Sequence, residues 1–182
     1  AFEYLRQSLG TPQFDAAMRS YFSAWKFKHP GPDDLQRSLE ASTRKDLAWF
    51  FDGLIPTTGQ TDYAIAGLRR ERTADGDTLV VSVRNRGDVE GPWPLYGCVA
   101  DSVWKRIEWY NPIDAGSAGN LRIAATDRNG SPYTALRIDH ENVSMDAHPQ
   151  NNTIRTSGLL RKIEPVTLRL LTRLEDGSRT QL

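Results

Sequence analysis

The spacing of apolar residues changes partway along this chain, and this change constrains the fold more than any other feature of the sequence. Up to about residue 54, apolar side chains recur every three or four positions, as Phe2, Leu5 and Leu9 do, which is typical of helices with one buried face. From Tyr63 onward they tend to alternate, as in strands. The turn-rich residues 55–60 lie between. We therefore predict an α+β chain, a short all-α segment at 1–57 followed by an antiparallel β-sandwich at 58–182.

Four helices are expected in the first segment. Gly10 ends the first, because glycine readily adopts the backbone conformation that terminates helices. Thr11 is predicted to cap the second helix, with Pro12 at its first position. The apolar residues of this second helix follow helical spacing and are expected to form one buried stripe, made of Phe14, Ala17, Met18, Tyr21, Phe22 and Trp25.

Two further helices are expected before the linker. Asp33 and Asp34 suit the first turn of the third helix, since carboxylates are stabilised at the positive end of the helix dipole. Ser42 or Thr43 is predicted to cap a fourth helix. Its inward face is expected to hold Leu47, Phe50, Phe51 and Leu54. Most aromatic residues of the segment are expected in its core: Tyr21, Phe22, Trp25, Phe27, Trp49, Phe50 and Phe51.

About seven short strands are expected after the linker, since runs rich in β-branched and aromatic residues are separated by turn sequences. Asp75-Gly76-Asp77 predicts a hairpin, and residues 86–88 predict a turn. Residues 103–109 are interpreted as continuing the strand at 94–99, and residues 111–120 as a loop. The remaining strands are predicted at 63–68, 79–85, 121–125, 134–138, 154–160 and 166–174.

Composition argues against several classes of protein. The 23 basic and 23 acidic residues balance, whereas nucleic-acid binders usually carry a basic excess, so no nucleic-acid partner is predicted. No run approaches the roughly 18 apolar residues of a membrane helix, so no membrane segment is predicted. Cys98 is the only cysteine, which rules out an intrachain disulfide. It is expected to be a small buried apolar group on a strand.

The chain has three histidines, and none belongs to a complete zinc-binding motif. His140-Glu141 begins the His-Glu-x-x-His pattern that places two zinc ligands on one helical face, but Ser144 stands in place of the second histidine. His29 is expected to pack in a loop. A looser candidate metal set consists of Asp139, His140, Asp146 and His148. Its spacing fits zinc sites poorly, so a solvated loop is favoured there. No catalytic, cofactor-binding or metal-ligating residue is therefore assigned.

An ordered series of helix starts and stops in the first segment resembles one enzyme family. It comprises residues 4–10, ending in Leu-Gly, then Phe14, then residues 26–30, 33–35 and 46–51, ending in paired aromatics. In this order it is similar to the last helices of the thermolysin-like catalytic domain in gluzincin zinc aminopeptidases, the family of alanyl aminopeptidase and leukotriene hydrolase. Residues 83–87, 138–139, 151–152 and 158–159 resemble the following β-domain of Bacteroidetes-like members, although His140 stands where the family often has proline.

The resemblance implies a supporting role for this chain. The family's His-Glu-x-x-His helix, its glutamate ligand and its oxyanion-stabilising tyrosine precede the block at 4–10, and Tyr4 is not that tyrosine. The resemblance therefore implies zinc and a peptide substrate for a longer parent protein, and neither cofactor nor catalytic residue here. The implied partner is an upstream catalytic domain, and this chain alone is expected to be inactive. A periplasmic or cell-envelope location is left open.

A non-enzymatic protein- or carbohydrate-binding sandwich is the competing interpretation. Carbohydrate binding would need exposed planar aromatic side chains, for which the candidates are Trp93, Trp104, Trp109 and Tyr110. The peptidase interpretation predicts a different surface feature. Helices that lack their catalytic neighbours should expose an apolar patch, through which the chain could self-associate. We expect that patch around Phe2, Leu5, Phe14 and Trp25.

Overall fold

The computed structural model describes residues 1–74, 76–100 and 103–157 of the 182-residue chain. They form helices and two antiparallel sheets, so the chain is α+β as predicted. The helices are α1 (Phe2–Leu9), α2 (Thr11–Trp25) and α3 (Pro32–Thr43), with a π-helix at Trp49–Leu54 and a 3-10 helix at Pro149–Asn151. The strands are β1 (Tyr63–Thr73), β2 (Gly76–Asn85), β3 (Trp93–Val99), β4 (Val103–Tyr110), β5 (Ala118–Ala124), β6 (Tyr133–Ile138) and β7 (Thr153–Arg155).

The junction of α1 and α2 lies at Gly10, which has a φ of 86°. Glycine adopts this left-handed conformation without the steric cost that a Cβ would bring. The predicted stop is confirmed, but the predicted cap is wrong. α2 already includes Thr11, and Gly10 is its N-cap, so no side chain caps the helix.

The predicted buried stripe of α2 is confirmed in part, since Phe14 and Met18 are half-buried against the helical core beside Ala17. Ala17 is its one fully buried residue, while the Phe22 side chain is 68% exposed. Phe27, just beyond the helix, is fully exposed although it was expected in the core. α2 packs on α1 and α3, and this leaves the side that carries Phe22 uncovered.

Both ends of α3 are fixed by local hydrogen bonds. An Asp34 carboxylate oxygen accepts the Gly31 N–H at 2.9 Å, and this bond lowers the pKa of Asp34. The helix ends with Arg44 in a left-handed conformation. The prediction that Thr43 or Ser42 caps a fourth helix is wrong, because both residues belong to α3. Asp46 accepts the Ala48 N–H at 2.8 Å ahead of the π-helix.

The strands form a three-stranded sheet with the order β1-β2-β5 and a four-stranded sheet with the order β4-β3-β6-β7. Thr73 pairs with Gly76, which confirms the predicted hairpin. The interpretation of 103–109 as a continuation is wrong, since β4 turns back antiparallel to β3 and pairs Trp104 with Cys98. β5 begins at Ala118 and shortens the predicted loop.

Both sheets contribute residues to one buried hydrophobic cluster, with β1, β2 and β5 represented from one sheet and β3, β6 and β7 from the other. Its largest fully buried members are Trp93, Tyr63, Ile65, Leu79, Leu95, Leu136 and Ile138. The helical segment has a core of its own, made of Leu5, Leu9, Ala17, Leu39, Leu47 and Phe50. Leu5 is fully buried there, so its predicted place in an exposed patch is wrong, whereas Phe2 is 46% exposed.

Tyr4 connects the helical segment to the sheets. Its side chain is fully buried, and its hydroxyl donates to the Pro92 carbonyl oxygen at 2.6 Å. The Tyr4 ring centroid lies 4.8 Å from that of Trp49 and 6.2 Å from that of Trp109 on β4. Burial raises the pKa of Tyr4 well above its ordinary value, so the hydroxyl remains a donor. The helices and sheets are thus joined by a specific buried contact.

Three predictions extend beyond the described residues. The strand expected at 166–174 lies outside them, as do the end of the strand expected at 154–160 and the last part of the unit at 58–182. None of the helices in the described ranges is long and apolar enough to cross a membrane.

Candidate functional site

Asp139 follows β6 in a buried position, and its carboxylate organises the loop after it. One oxygen accepts the Val143 N–H at 2.8 Å. The other accepts the Ser144 N–H at 2.8 Å and the Ser144 hydroxyl at 2.6 Å. Asp139 itself is 2% exposed and has a φ of 48°. The expectation of a solvated loop is therefore wrong at this residue, because the chain buries the carboxylate to satisfy its own backbone.

Asp139→Ala is expected to lower the free energy of unfolding by about 3 kcal/mol, because three buried donors lose a charged acceptor. Asp139→Asn should cost less, since it keeps one acceptor oxygen and asparagine tolerates positive φ. The exposed neighbour Glu141 provides the control, and Glu141→Ala should change stability by less than about 0.5 kcal/mol. Urea unfolding measures all three, and equal effects for Asp139→Ala and Glu141→Ala would contradict the assigned role.

Asp146 and His148 join the same loop to the start of β1. Asp146 accepts the Tyr63 N–H at 2.9 Å and the His148 N–H at 2.8 Å. Burial raises the pKa of Asp146 above its ordinary value. The His148 Nδ1 lies 2.8 Å from an Asp62 carboxylate oxygen, while Asn151 donates to the other oxygen at 2.9 Å. These side chains therefore hold the loop against the start of β1, and they do not converge on a shared ligand.

The candidate metal set is not brought together. His140 stacks on the Trp104 ring, with centroids 5.0 Å apart and an interplanar angle of 19°, away from the bonds made by Asp139. Within 1–74, 76–100 and 103–157, no three His, Cys, Asp or Glu side chains are placed to hold a metal ion. His29 is exposed, so the expectation that it packs in a loop is wrong.

The outer face of the four-stranded sheet gathers aromatic and basic side chains instead. Direct cross-strand partners share a face, so strand register defines two rows on it. One row holds Trp104, Cys98, Ala135 and Arg155, and the next holds Arg106, Tyr96, Arg137 and Thr153. None of these residues belongs to the buried cluster that the two sheets share. The face thus carries two exposed cations, Arg155 in the first row and Arg106 in the second, together with the half-buried Arg137.

A trough of about 450 Å³ follows the first row. Trp104 and Arg155 line it from opposite edges of the sheet, three strand spacings or roughly 14 Å apart at the backbone. Cys98 and Ala135 lie between them, and both are small. Cys98 is 3% exposed, which confirms its prediction as a buried residue on a strand. The first row therefore forms a shallow site with a flat aromatic wall and a positive charge.

Thr153 of the second row also lines this trough, and His140 contacts its Trp104. The Tyr96 ring centroid lies 5.6 Å from that of His140. Burial raises the pKa of Tyr96 to about 12, helped by the Glu141 carboxylate and opposed by Arg106. The Arg137 Nε and the His140 Nδ1 are buried without a hydrogen-bond partner among the described residues. Polar atoms left unpaired in this way are uncommon in folded proteins.

The other aromatic candidates have structural roles. Trp93 is 2% exposed in the core, with its ring centroid 4.8 Å from that of Tyr110. Trp109 packs near Tyr4 at the contact between helices and sheets. Of the four aromatic candidates, Trp104 is the one that lines the trough. The role of Arg155 was not foreseen, because its place opposite Trp104 depends on two intervening strands.

Comparison with known proteins assigns neither a family nor a function to this chain. No protein-family model matches this chain, and no curated protein matches it at a significant level.

Proposed function

We propose that this chain is the supporting, non-catalytic part of a zinc aminopeptidase-like protein. Its helices would complete a catalytic domain supplied by an upstream part of the same protein, and its two sheets would form a β-sandwich beside that domain. The observation that supports this most is the apolar surface of the helical segment. Phe2, Phe22, Phe27 and Ile55 are 46%, 68%, 100% and 48% exposed, although the segment has a core of its own. Exposed apolar side chains of this size favour a further packing partner.

The shared core supports the sandwich part of the proposal. Leu79 and Val81 on β2 belong to the same buried cluster as Leu95 on β3 and Leu136 on β6. Two sheets that contribute to a single core in this way are typical of face-to-face packing.

The Tyr4 contact supports a role as a rigid spacer. A helical segment of about 55 residues has a marginal core by itself. The buried Tyr4 hydroxyl and the rings of Trp49 and Trp109 fix this segment on the sheets. A domain packed on the uncovered side of α2 would therefore be held at a defined position relative to both sheets.

Metal content and hydrolysis test the proposal. The chain should retain no zinc after dialysis and should not cleave an aminoacyl-anilide, whereas the longer protein from the same reading frame should bind one zinc ion and cleave it. Atomic absorption and absorbance of the released aniline provide the readouts. Zinc-dependent cleavage by the chain alone would contradict the proposal, and so would a longer protein that neither binds zinc nor cleaves the substrate.

The exposed side of α2 provides a separate prediction. Phe22→Asp should lower the melting temperature of the longer protein by several degrees, because it introduces a charge into an apolar interface, and should change the chain alone little. Ser23→Asp is the matched control, since neighbouring helical positions point about 100° apart. Concentration-dependent sedimentation of the chain, abolished by Phe22→Asp, would assign this surface to self-association instead.

A further inference from the structure

The trough on the four-stranded sheet is built independently of the helical segment and of any peptidase activity. Trp104 forms its wall, and the His140 ring supports Trp104 by stacking on it. Cys98 and Ala135 lie between Trp104 and Arg155 and have small side chains, so the ring of a ligand can approach the backbone of the sheet closely. Its volume of about 450 Å³ lies within the range of about 300–1,000 Å³ that is usual for small-ligand sites.

Charge and hydrogen-bonding groups narrow the class of ligand. Among the described residues, Arg155 is exposed and forms no ion pair, and no carboxylate lines the trough. A guanidinium group matches a carboxylate through two parallel hydrogen bonds. The hydroxyls of Thr153 and Ser157 also line the trough and can both donate and accept. The site therefore suits a ligand that combines a carboxylate with several hydroxyls.

We infer that this trough binds an acidic sugar, with the pyranose ring against Trp104 and the carboxylate at Arg155. The face of an indole ring is negative, so it attracts the slightly positive C–H groups of a sugar ring. The hydroxyls of Thr153 and Ser157 then hydrogen-bond the hydroxyls of the sugar.

An acidic peptide fits this geometry less well. Extended peptides are commonly held through main-chain hydrogen bonds at an open strand edge. The floor of the trough lies instead on β3 and β6, which both have a strand paired on each side. Their backbone groups are thus already used within the sheet, and recognition must come from side chains.

A disaccharide of galacturonic acid and its neutral methyl ester are the probes that test this inference, because they share the same rings and hydroxyls while the ester lacks the negative charges of the carboxylates. Isothermal titration of the full chain should detect saturable binding of the acid, with the ester about tenfold weaker or more. The indole N–H signal of Trp104 should shift with both ligands in NMR spectra. The inference is overturned if neither ligand binds, if both bind equally, or if an acidic peptide displaces the acid at equal concentration.

Two substitutions separate the contributions of ring and charge. Arg155→Gln should weaken binding of the acid about tenfold and leave the ester unchanged, whereas Trp104→Ala should weaken both. Arg128→Gln, at an exposed arginine that lines a different cavity, should leave both unchanged. Because Arg155 is exposed, its substitution should not disturb the fold, and circular dichroism checks this. An Arg155→Gln protein that still prefers the acid over the ester would overturn the assigned role of the charge.

Discussion

Gly87→Ala should lower the free energy of unfolding by about 3 kcal/mol or more, because the new methyl group would overlap backbone atoms. A Cβ at this position would collide with the Gln60 carbonyl oxygen and lie 2.6 Å from the Asp62 nitrogen. The two segments cannot separate easily. The Arg86 N–H donates to the Asp62 carbonyl oxygen at 2.7 Å, and the Asp88 N–H donates to that of Gln60 at 2.9 Å.

Gly67→Ala is the matched control for this substitution. Gly67 lies in β1, and its nearest neighbour would be the Ser82 Cβ at an ordinary 3.9 Å. We expect a change in stability of less than about 0.5 kcal/mol there. Urea denaturation followed by circular dichroism measures both variants. A Gly87→Ala protein as stable as the Gly67→Ala protein would mean that residues 86–88 do not run against residues 60–62.

The role of Gly87 illustrates what the sequence predicts and what it leaves out. Residues 86–88 were correctly recognised as a place where the strand ends, because turn residues act locally. The close approach to residues 60–62 depends on the tertiary fold, which local composition does not encode. The same difference between local turn residues and tertiary contacts explains why one hairpin was predicted and the other was not. The β1–β2 connection was predicted from Asp75-Gly76-Asp77, whereas the reversal between β3 and β4 carries no such turn sequence and was interpreted as a continuation.

Helical spacing identified the helices but overestimated what they bury. A periodic stripe predicts which side of a helix is apolar, and it is silent on whether another element covers that side. In α2 the side chain of Ala17 is buried and that of Phe22 is not. The exposed Phe22 is the feature of the helical segment that most favours a missing partner, and it could be recognised only after the neighbours of α2 were known.

The candidate site was predictable in parts. Trp104 was selected from the sequence as a planar aromatic, and Cys98 as a buried residue on a strand. Trp104, Cys98 and Arg155 lie in one row because of the pairing register of four strands. A single sequence does not specify that register. Conversely, Asp139 and His148 were grouped by their closeness in sequence, but their side chains bond to different partners.

Tyr4→Ala should lower the free energy of unfolding by about 3–5 kcal/mol, the usual cost of removing a large buried aromatic side chain. The helical segment should lose most of this stability, because the Tyr4 hydroxyl donates the hydrogen bond that joins the segment to Pro92. Tyr4→Phe keeps the ring and removes that bond alone, so it should cost about 1 kcal/mol. The difference between the two variants separates ring packing from hydrogen bonding.

Hydrogen exchange measured by mass spectrometry locates the effect. In Tyr4→Ala, the amides of α1, α2 and α3 should exchange much faster, while those of β2, β3 and β6 keep most of their protection, since the buried cluster that the two sheets share does not include Tyr4. Phe22→Ala is the control, because Phe22 is an aromatic residue of the same segment that is 68% exposed. Faster exchange throughout both sheets would mean that helices and sheets unfold as one cooperative unit. In that case Tyr4 lies inside a single core, and the helical segment does not act as a separable element that a catalytic domain could share.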